Sequence, residues 1–205
     1  MKKILSLTAA LLLAAASAAT AANIVLPEPD KTGGPSVMEA IANRASAEQR
    51  DFSKEELSLK ELSTILWAAT GKNREPKGWT VPMAMGREPY VSVYVLLKSG
   101  GYLYNWEKNA LMQQTAEKKL TSRAVTQDFA KSAPCILVFV SKGTMNVENY
   151  NYIATGAMSQ NVFLAAEALG LKGRFLASFN KVNIEAALTL GPIMKITGVM
   201  AVGRQ

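Results

Sequence analysis

Two arginines and one serine lie within seven positions of each other, at Arg44, Ser46 and Arg50, and these residue types can bind an anion together. A guanidinium group donates two parallel hydrogen bonds to a phosphate, and a hydroxyl group adds a further short one. A solvated surface turn is the alternative interpretation, because most charged side chains are exposed and unpaired. The residues alone leave both interpretations open.

A strongly marked helix follows this segment. Ser58 can accept a hydrogen bond from the first helical turn, and Glu61, three positions later, can bond back to it, which is the capping-box arrangement. Apolar residues then recur at helical spacing from Leu59 to Ala69. We expect Gly71 to take the left-handed conformation and to end the helix.

The sequence contains no histidine and a single cysteine. The missing histidine excludes Ser-His-Asp and Cys-His nucleophilic sites and the usual imidazole zinc sites. Cys135 begins an apolar run that ends at Val140, which predicts a buried strand with an unreactive thiol. We therefore assign no catalytic acid, base or nucleophile, and no metal ligand.

The chain of 205 residues is long enough for one domain with a sizeable core. Residues 1–22 predict a Sec-type signal peptide: Lys2 and Lys3 precede a short apolar run, and Ala19-Thr20-Ala21 supplies a cleavage site. An uncleaved membrane anchor is the rival interpretation, but the run is short for a span. We expect an exported, periplasmic or secreted protein, with an extended arm over residues 23–35 and one domain over residues 36–205.

The formal net charge is +7, and it falls to about +5 when Lys2 and Lys3 are removed. No dense basic run is present, so the charge does not indicate nucleic-acid binding. We also expect no membrane span after signal cleavage. A modest positive charge suits a protein that holds an anionic cofactor, and it equally suits an ordinary basic protein.

The elements expected along the chain are mixed in type. After the arm come a short helix near residues 37–41, the capped helix, a long loop over 72–89 and a β-meander over 90–97, 102–106 and 110–114. A helix over 116–132, a strand over 135–140 and a long helix over 147–169 follow, then an extended segment over 174–179, a helix over 183–190 and a strand over 195–202. This order favours an α+β fold with helices packed on a sheet.

The long helix has an unusual number of small residues, among them Ala154, Gly156, Ala157 and Ser159. Small side chains let another helix or a planar group approach the backbone closely. Dense core packing explains the same composition equally well. Both interpretations stay open at this point.

Three segments in order resemble the nitroreductase-like flavoproteins, particularly the short branch related to the SagB-type oxidoreductases. They are Arg44–Gly71, Tyr90–Tyr104 and Gly156–Leu171, and the resemblance extends over about residues 42–203. It implies an α+β nitroreductase-like fold, with a central mostly antiparallel sheet surrounded by helices. It also implies a homodimer with two FMN molecules at the subunit interface.

The resemblance assigns the FMN phosphate to basic residues and a hydroxyl group. Arg44, Ser46 and Arg50 correspond to the family's N-terminal ligands, although the gap before Arg50 is wider here. Arg204 corresponds to a basic residue that follows the last strand in relatives, and a frayed terminus is the alternative.

The resemblance also assigns contacts to the flavin ring. Pro82, Met83 and Ala84 correspond to the segment that lies along the ring, where Met83 replaces a serine and Gly86 replaces an asparagine. Ala177 and Ser178 correspond to the loop that offers a backbone N–H to flavin N5.

The activity implied is an FMN-dependent oxidoreductase that transfers hydride or electrons through flavin N5 in a ping-pong cycle, without a protein acid or base. Family members take hydride from NAD(P)H and reduce small organic acceptors such as quinones or nitro compounds. Because Met83 and Gly86 replace polar residues, the alternative is a dimer with a degenerate flavin site that only binds a flavin or another planar ligand. A dimer without any ligand is a third interpretation.

Overall fold

In the computed structural model, residues 22–145 and 147–205 are described, so all but the last residue of the predicted signal peptide lies outside the described residues. Within these described residues, seven antiparallel strands form one sheet in the order β1-β4-β3-β2-β5-β7-β6. Their bounds are β1 (Ile24–Val25), β2 (Val91–Leu97), β3 (Gly100–Asn105), β4 (Ala110–Thr115), β5 (Cys135–Ser141), β6 (Lys172–Phe175) and β7 (Lys195–Gly203).

Helices cover both faces of the sheet. They are α1 (Val37–Asn43), α2 (Leu59–Thr70), α3 (Leu120–Ala124), α4 (Asn149–Ala168) and α5 (Lys181–Leu188), with 3₁₀ turns at Ala84–Gly86 and Asp128–Ser132. α2 and α4 share one core with the sheet, and α3 and α5 share the core on the opposite face. This arrangement confirms the predicted α+β fold.

Strand β5 joins the two cores because its side chains alternate between the faces of the sheet. Cys135, Leu137 and Phe139 belong to the α2/α4 core, whereas Ile136 and Val138 belong to the opposite one. All seven residues of the strand are buried. The predicted buried strand at Cys135 is therefore confirmed.

Within residues 22–145 and 147–205, no helix combines the length and the apolar composition that a bilayer crossing requires.

The capping box of α2 forms as predicted. The Ser58 hydroxyl accepts a hydrogen bond from the Glu61 N–H at 3.2 Å, and the Ser58 N–H donates to the Glu61 carboxylate at 2.8 Å. The helix then buries Leu62, Ile65 and Leu66 against the sheet.

Gly71 does not take the predicted left-handed conformation, because its φ and ψ are −75° and 163°. The glycine is required by a close approach instead. Its N–H donates to the Trp67 carbonyl at 2.7 Å, and an added Cβ would lie 2.7 Å from that oxygen and closer still to the indole ring. The chain therefore leaves the helix in an extended direction, and the Gly71 carbonyl accepts from Thr80 at 3.0 Å.

We expect Gly71→Ala to lower the free energy of unfolding by about 2 kcal/mol, because overpacking a filled site typically costs about 1–3 kcal/mol. Urea unfolding of both proteins measures the difference. Gly191→Ala is the matched control, since its added Cβ would make only ordinary contacts, at 3.8 Å and 4.0 Å, with Met194. Equal stability of the two variants would contradict the close-approach explanation.

The helix predicted over residues 116–132 is wrong. α3 ends at Ala124 because the backbone there bonds elsewhere: Val125 forms a bridge with Phe179, and the Ala124 carbonyl accepts from the Asn180 N–H at 2.7 Å. A separate 3₁₀ turn covers the end of the segment. The apolar spacing indicated a buried face, but contacts with a distant segment divide the helix.

Candidate functional site

The segment that contains Arg44 and Ser46 lies along the outer edge of the sheet, beside β6. Ser46 forms a parallel bridge with Gly173, and the Ala47 N–H donates to the Gly173 carbonyl at 2.8 Å. The Arg174 guanidinium donates to the Ala47 carbonyl at 2.5 Å and lies 5.0 Å from the centre of the Phe129 ring. Arg174 therefore fixes the segment from one side of the strand.

Arg44 lies on the side of β6 that faces α4. Its N–H ends α1 by donating to the Ala40 carbonyl at 2.9 Å, and its guanidinium carbon lies 5.2 Å from the centre of the Phe163 ring. Within the described residues Arg44 makes no ion pair, and the Ser46 hydroxyl makes no hydrogen bond. A fixed cation with unused donors beside an unused hydroxyl fits a phosphate group.

Arg50 and Arg204 lie near this segment but are already paired. Arg50 is 2.9 Å from the Glu48 carboxylate, and Arg204 is 2.5 Å from Glu61 and 3.5 Å from Glu55. The contact with Glu55 lacks hydrogen-bond geometry, so Nη1 of Arg204 is buried without a hydrogen-bond partner. Their role as phosphate ligands stays a prediction, and Arg44 and Ser46 have the more available donors.

The C-terminus closes over the same segment. The Ser53 N–H donates to the Arg204 carbonyl at 2.8 Å, and the Gln205 side chain bonds the Glu48 and Arg50 carbonyls at 3.1 Å and 2.8 Å. Residues more than 150 positions apart therefore meet here. The terminus is anchored by hydrogen bonds at this site.

The predicted ring-contacting loop, Pro82 to Ala84, lies at the other end of α4. The Ala84 N–H donates to the Tyr90 hydroxyl at 3.4 Å, and that hydroxyl donates to the Tyr150 carbonyl at 3.4 Å. Met83 is half-buried against the core, and Pro82 is exposed. Apart from its backbone N–H groups, this loop offers mainly apolar surface.

Asn161 holds the loop and was not predicted as a site residue. Its side-chain amide donates to the Ala68 carbonyl at 3.0 Å and to the Thr80 carbonyl at 3.1 Å, which ties α4 to the end of α2 and to the loop. α4 carries several other polar side chains, so no signal in the sequence distinguished Asn161 from them. Arg174 and Phe163 were missed as well, because their roles depend on residues distant in the sequence.

The phosphate candidates and the ring-loop candidates are far apart in one chain. Arg44 contacts α4 at Phe163, and Ala84 is linked through Tyr90 to α4 at Tyr150. Those helix positions differ by 13 residues, or about 20 Å at about 1.5 Å per residue. Arg44 and the Ala84 end of the loop therefore mark two candidate half-sites at opposite ends of α4, although the loop before Pro82 is tied to the helix at Asn161.

Ala177 and Ser178 follow β6, and both are exposed. Ala177 lies four positions beyond Gly173, or about 13 Å along an extended chain at about 3.3 Å per residue. The Ser178 hydroxyl lies 2.8 Å from the Thr126 hydroxyl. The predicted N5 loop is thus on the same sheet edge as Arg44 and Ser46, and its role stays a prediction.

The described residues around these half-sites offer binding groups and few proton-transfer groups. Burial raises the pKa of the Cys135 thiol to about 12, so it stays protonated at neutral pH. Among the described residues, no group of three or more His, Cys, Asp or Glu side chains is arranged to hold a metal ion. The arrangement suits binding and orientation of an anionic cofactor that brings its own chemistry.

Comparisons with known proteins agree with this fold. Residues 41–204 match the sequence pattern described as the Nitroreductase family. A candidate nitroreductase from Ralstonia eutropha JMP134, of known crystal structure, is 34% identical, with a TM-score of 0.80 and 89% of each chain covered. A candidate nitroreductase of Methanocaldococcus jannaschii is 29% identical over 171 residues, which are 76% of this chain and 85% of the relative.

A more distant structure shows the same fold with a ligand. It is a candidate nitroreductase from Desulfovibrio desulfuricans in complex with FMN, 20% identical, with a TM-score of 0.60 and with 84% of this chain and 87% of that chain covered.

Proposed function

The chain belongs to the nitroreductase family, and we propose that it is an FMN-dependent oxidoreductase acting on a small organic electron acceptor of the quinone or nitro-compound class. The observation that carries the proposal is Arg44, a cation fixed over Phe163 without an ion pair among the described residues, beside the unused Ser46 hydroxyl. Bound FMN would supply hydride and electron transfer through its N5 atom. The absence of histidine fits this chemistry, because the protein need only bind and orient the flavin.

We assign the phosphate to Arg44 and Ser46, and the ring face to the loop from Pro82 to Ala84. Arg174 and Asn161 are positioning residues, because each holds one of these segments through backbone carbonyls. Met83 excludes water by its apolar contact with the core. The backbone N–H groups near Ala177 and Ser178 are the donors expected to face flavin N5.

We infer that a second copy of the chain completes each site. A flavin held by both half-sites of one protomer would have to cover the roughly 20 Å between Phe163 and Tyr150. In a two-fold symmetric pair with antiparallel α4 helices, the Arg44 of one protomer lies beside the Pro82–Ala84 loop of the other. Two equivalent flavin sites result.

The exposed side of α4 supports this homodimer. Tyr150, Tyr152 and Ile153 are 36%, 49% and 64% exposed, so apolar side chains occur on the outward face as well as on the buried one. A helix that is apolar around its circumference is usually buried on all sides. Gly156 lies on the same outward face with no atom within 4 Å of an added Cβ, which leaves room for a partner's backbone.

Two expectations from the sequence, export and the SagB-type relation, remain proposals. We propose that residues 1–22 direct export and are then removed, which places the oxidoreductase in the periplasm or outside the cell. Nicotinamide nucleotides are cytoplasmic, so the reductant of an exported enzyme would be another molecule. The SagB-type relation rests on the sequence resemblance.

The second candidate function is a dimer that binds a flavin without turnover. The observation that favours it is the apolar character of the ring loop, where Met83 is packed into the core and Gly86 has no side chain. An asparagine is compatible with the backbone at position 86, where φ is +61°, so the backbone does not explain why a polar side chain is missing.

The visible spectrum of the purified protein with added FMN tests both candidates. A yellow protein that bleaches with dithionite and then passes electrons to benzoquinone supports the oxidoreductase. A yellow protein that bleaches but does not reduce benzoquinone supports the binding dimer. A colourless protein that ignores FMN contradicts both.

A further inference from the structure

A small cavity beside the proposed ring loop is lined by basic side chains. This basic cavity has a volume of about 260 Å³ and is bounded by Arg74, Lys77, Gly78, Trp79, Val81, Pro82, Met83, Gly86 and Arg87. Pro82 and Met83 are also the proposed ring contacts. A molecule in the cavity would therefore lie next to a bound flavin.

The three cations of the basic cavity are not neutralised within the described residues. Arg74, Lys77 and Arg87 make no ion pair there. Among the described residues, the neighbouring carboxylates do not form ion pairs with these cations. Glu75 is 2.6 Å from the Lys72 ammonium, and Glu88 lines a separate cavity with Trp67 and Trp106. Three like charges around one small volume repel each other, and an anion between them would remove that repulsion.

Two of the cations have defined positions. The Arg87 guanidinium donates from Nη1 to the Thr144 carbonyl at 3.2 Å and to the Met145 sulfur at 3.6 Å, which leaves Nε and Nη2 unused among the residues described. The Arg74 side chain crosses over Gly78, where an added Cβ would lie 2.7 Å from the Arg74 Cβ and 2.9 Å from its Nε. Gly78 therefore makes room for an arginine at the cavity wall.

Trp79 supplies an independent sign of a ligand. Its ring packs edge-on against Trp106 at 6.0 Å between centroids, and the residue is 9% exposed. Within the described part of the chain, its indole N–H is buried without a hydrogen-bond partner. Leaving such a donor unpaired costs about 1–3 kcal/mol. Trp79 also lines the basic cavity, so this unpaired donor belongs to a residue of the cavity wall.

We propose that the basic cavity binds the carboxylate or phosphate group of the small organic molecule that exchanges electrons with the flavin, so that this substrate is an organic anion. The inference rests on the proposed function for the flavin beside it. The volume is slightly below the range of about 300–1,000 Å³ typical of whole-ligand pockets, which suits the charged end of a molecule whose remainder lies over the flavin ring.

Tryptophan emission of the FMN-saturated protein, titrated with benzoate, phenyl phosphate and the neutral analogue benzamide, tests the proposal. We expect the better of the two anions to bind about tenfold more tightly than benzamide, since one charge-assisted contact is worth about one tenfold step in affinity. A preference for benzoate identifies a carboxylate substrate, and a preference for phenyl phosphate identifies a phosphorylated one. Equal binding of all three probes overturns the proposal.

Lys77→Gln is expected to weaken binding of the anion about tenfold and to leave benzamide binding unchanged. Lys118→Gln is the matched control, because it removes the same charge from an exposed side chain that does not line the basic cavity. If both variants weakened anion binding equally, the loss would come from the change in net charge, and the proposed anion site would be overturned. Displacement of the anion by excess FMN would overturn it too, by assigning the cavity to the cofactor.

Failure of the proposed function is distinguishable from failure of this site. If the protein binds no FMN, the proposed oxidoreductase function and the substrate role of the cavity are both wrong. Titration of that protein with the same probes still shows whether the cavity prefers anions. A yellow protein without anion selectivity keeps the flavin function and loses only the anion site.

Discussion

Arg44→Ala is expected to lower the affinity for FMN by at least about tenfold and to yield a colourless protein after gel filtration. The variant removes a charge-assisted contact to the phosphate, which is worth about 1.5–3 kcal/mol. It also removes the guanidinium that lies over Phe163. Equilibrium titration of the apoprotein with FMN, followed by flavin fluorescence, measures the change.

Arg50→Ala is the control for Arg44→Ala, since it deletes the same side chain six positions further along. Arg50 is exposed and paired with Glu48, so its removal is expected to change the affinity by less than threefold, in line with the small energies of surface ion pairs. Equal losses in the two variants would contradict this difference and would support the predicted role of Arg50 as a second phosphate ligand. Full flavin retention in Arg44→Ala would remove the phosphate assignment.

Ile153→Glu is expected to convert the proposed homodimer into a monomer and to abolish flavin retention at the same time. Ile153 is 64% exposed in the single chain and lies on the outward face of α4, where a partner would bury it. An unpaired carboxylate in such an interface costs several kcal/mol. Sedimentation velocity gives the mass, and absorbance of the same sample gives the flavin content.

Val182→Glu is the control for Ile153→Glu, because it places the same carboxylate on an exposed apolar position away from α4. Val182 is 73% exposed on α5, which packs on the opposite face of the sheet from α4, so we expect a dimer with normal flavin content. A dimeric Ile153→Glu protein would contradict the α4 interface. A monomeric variant that keeps its flavin would contradict the sharing of each site between two chains.

Local signals predicted the framework of the fold. The Ser58 cap and the continuous apolar run of β5 each report a short-range preference that the structure retains. Gly71 was predicted wrongly because its requirement comes from the indole ring of Trp67, and not from backbone conformation. The position of Gly71 after the helix indicated that a glycine is needed there, but it did not indicate the contact that requires it.

The candidate site was predictable only where its residues are close in sequence. Arg44 and Ser46 were found as a pair, but the Arg174 bond to the Ala47 carbonyl joins residues 127 positions apart. The Asn161 bond to Ala68 joins residues 93 positions apart. Such contacts depend on how the sheet and α4 bring segments together, and no local pattern records them.

The chain's own N-terminal region meets both edges of the sheet. β1 pairs with β4 at one edge, and the Ser46 segment bridges β6 at the other. Exposed strand edges promote intermolecular β-pairing, and β4, with the sequence Ala-Leu-Met-Gln-Gln-Thr, carries no charge that would oppose it. The two-residue strand β1 therefore shields the Ala110–Leu111 end of β4 from intermolecular pairing.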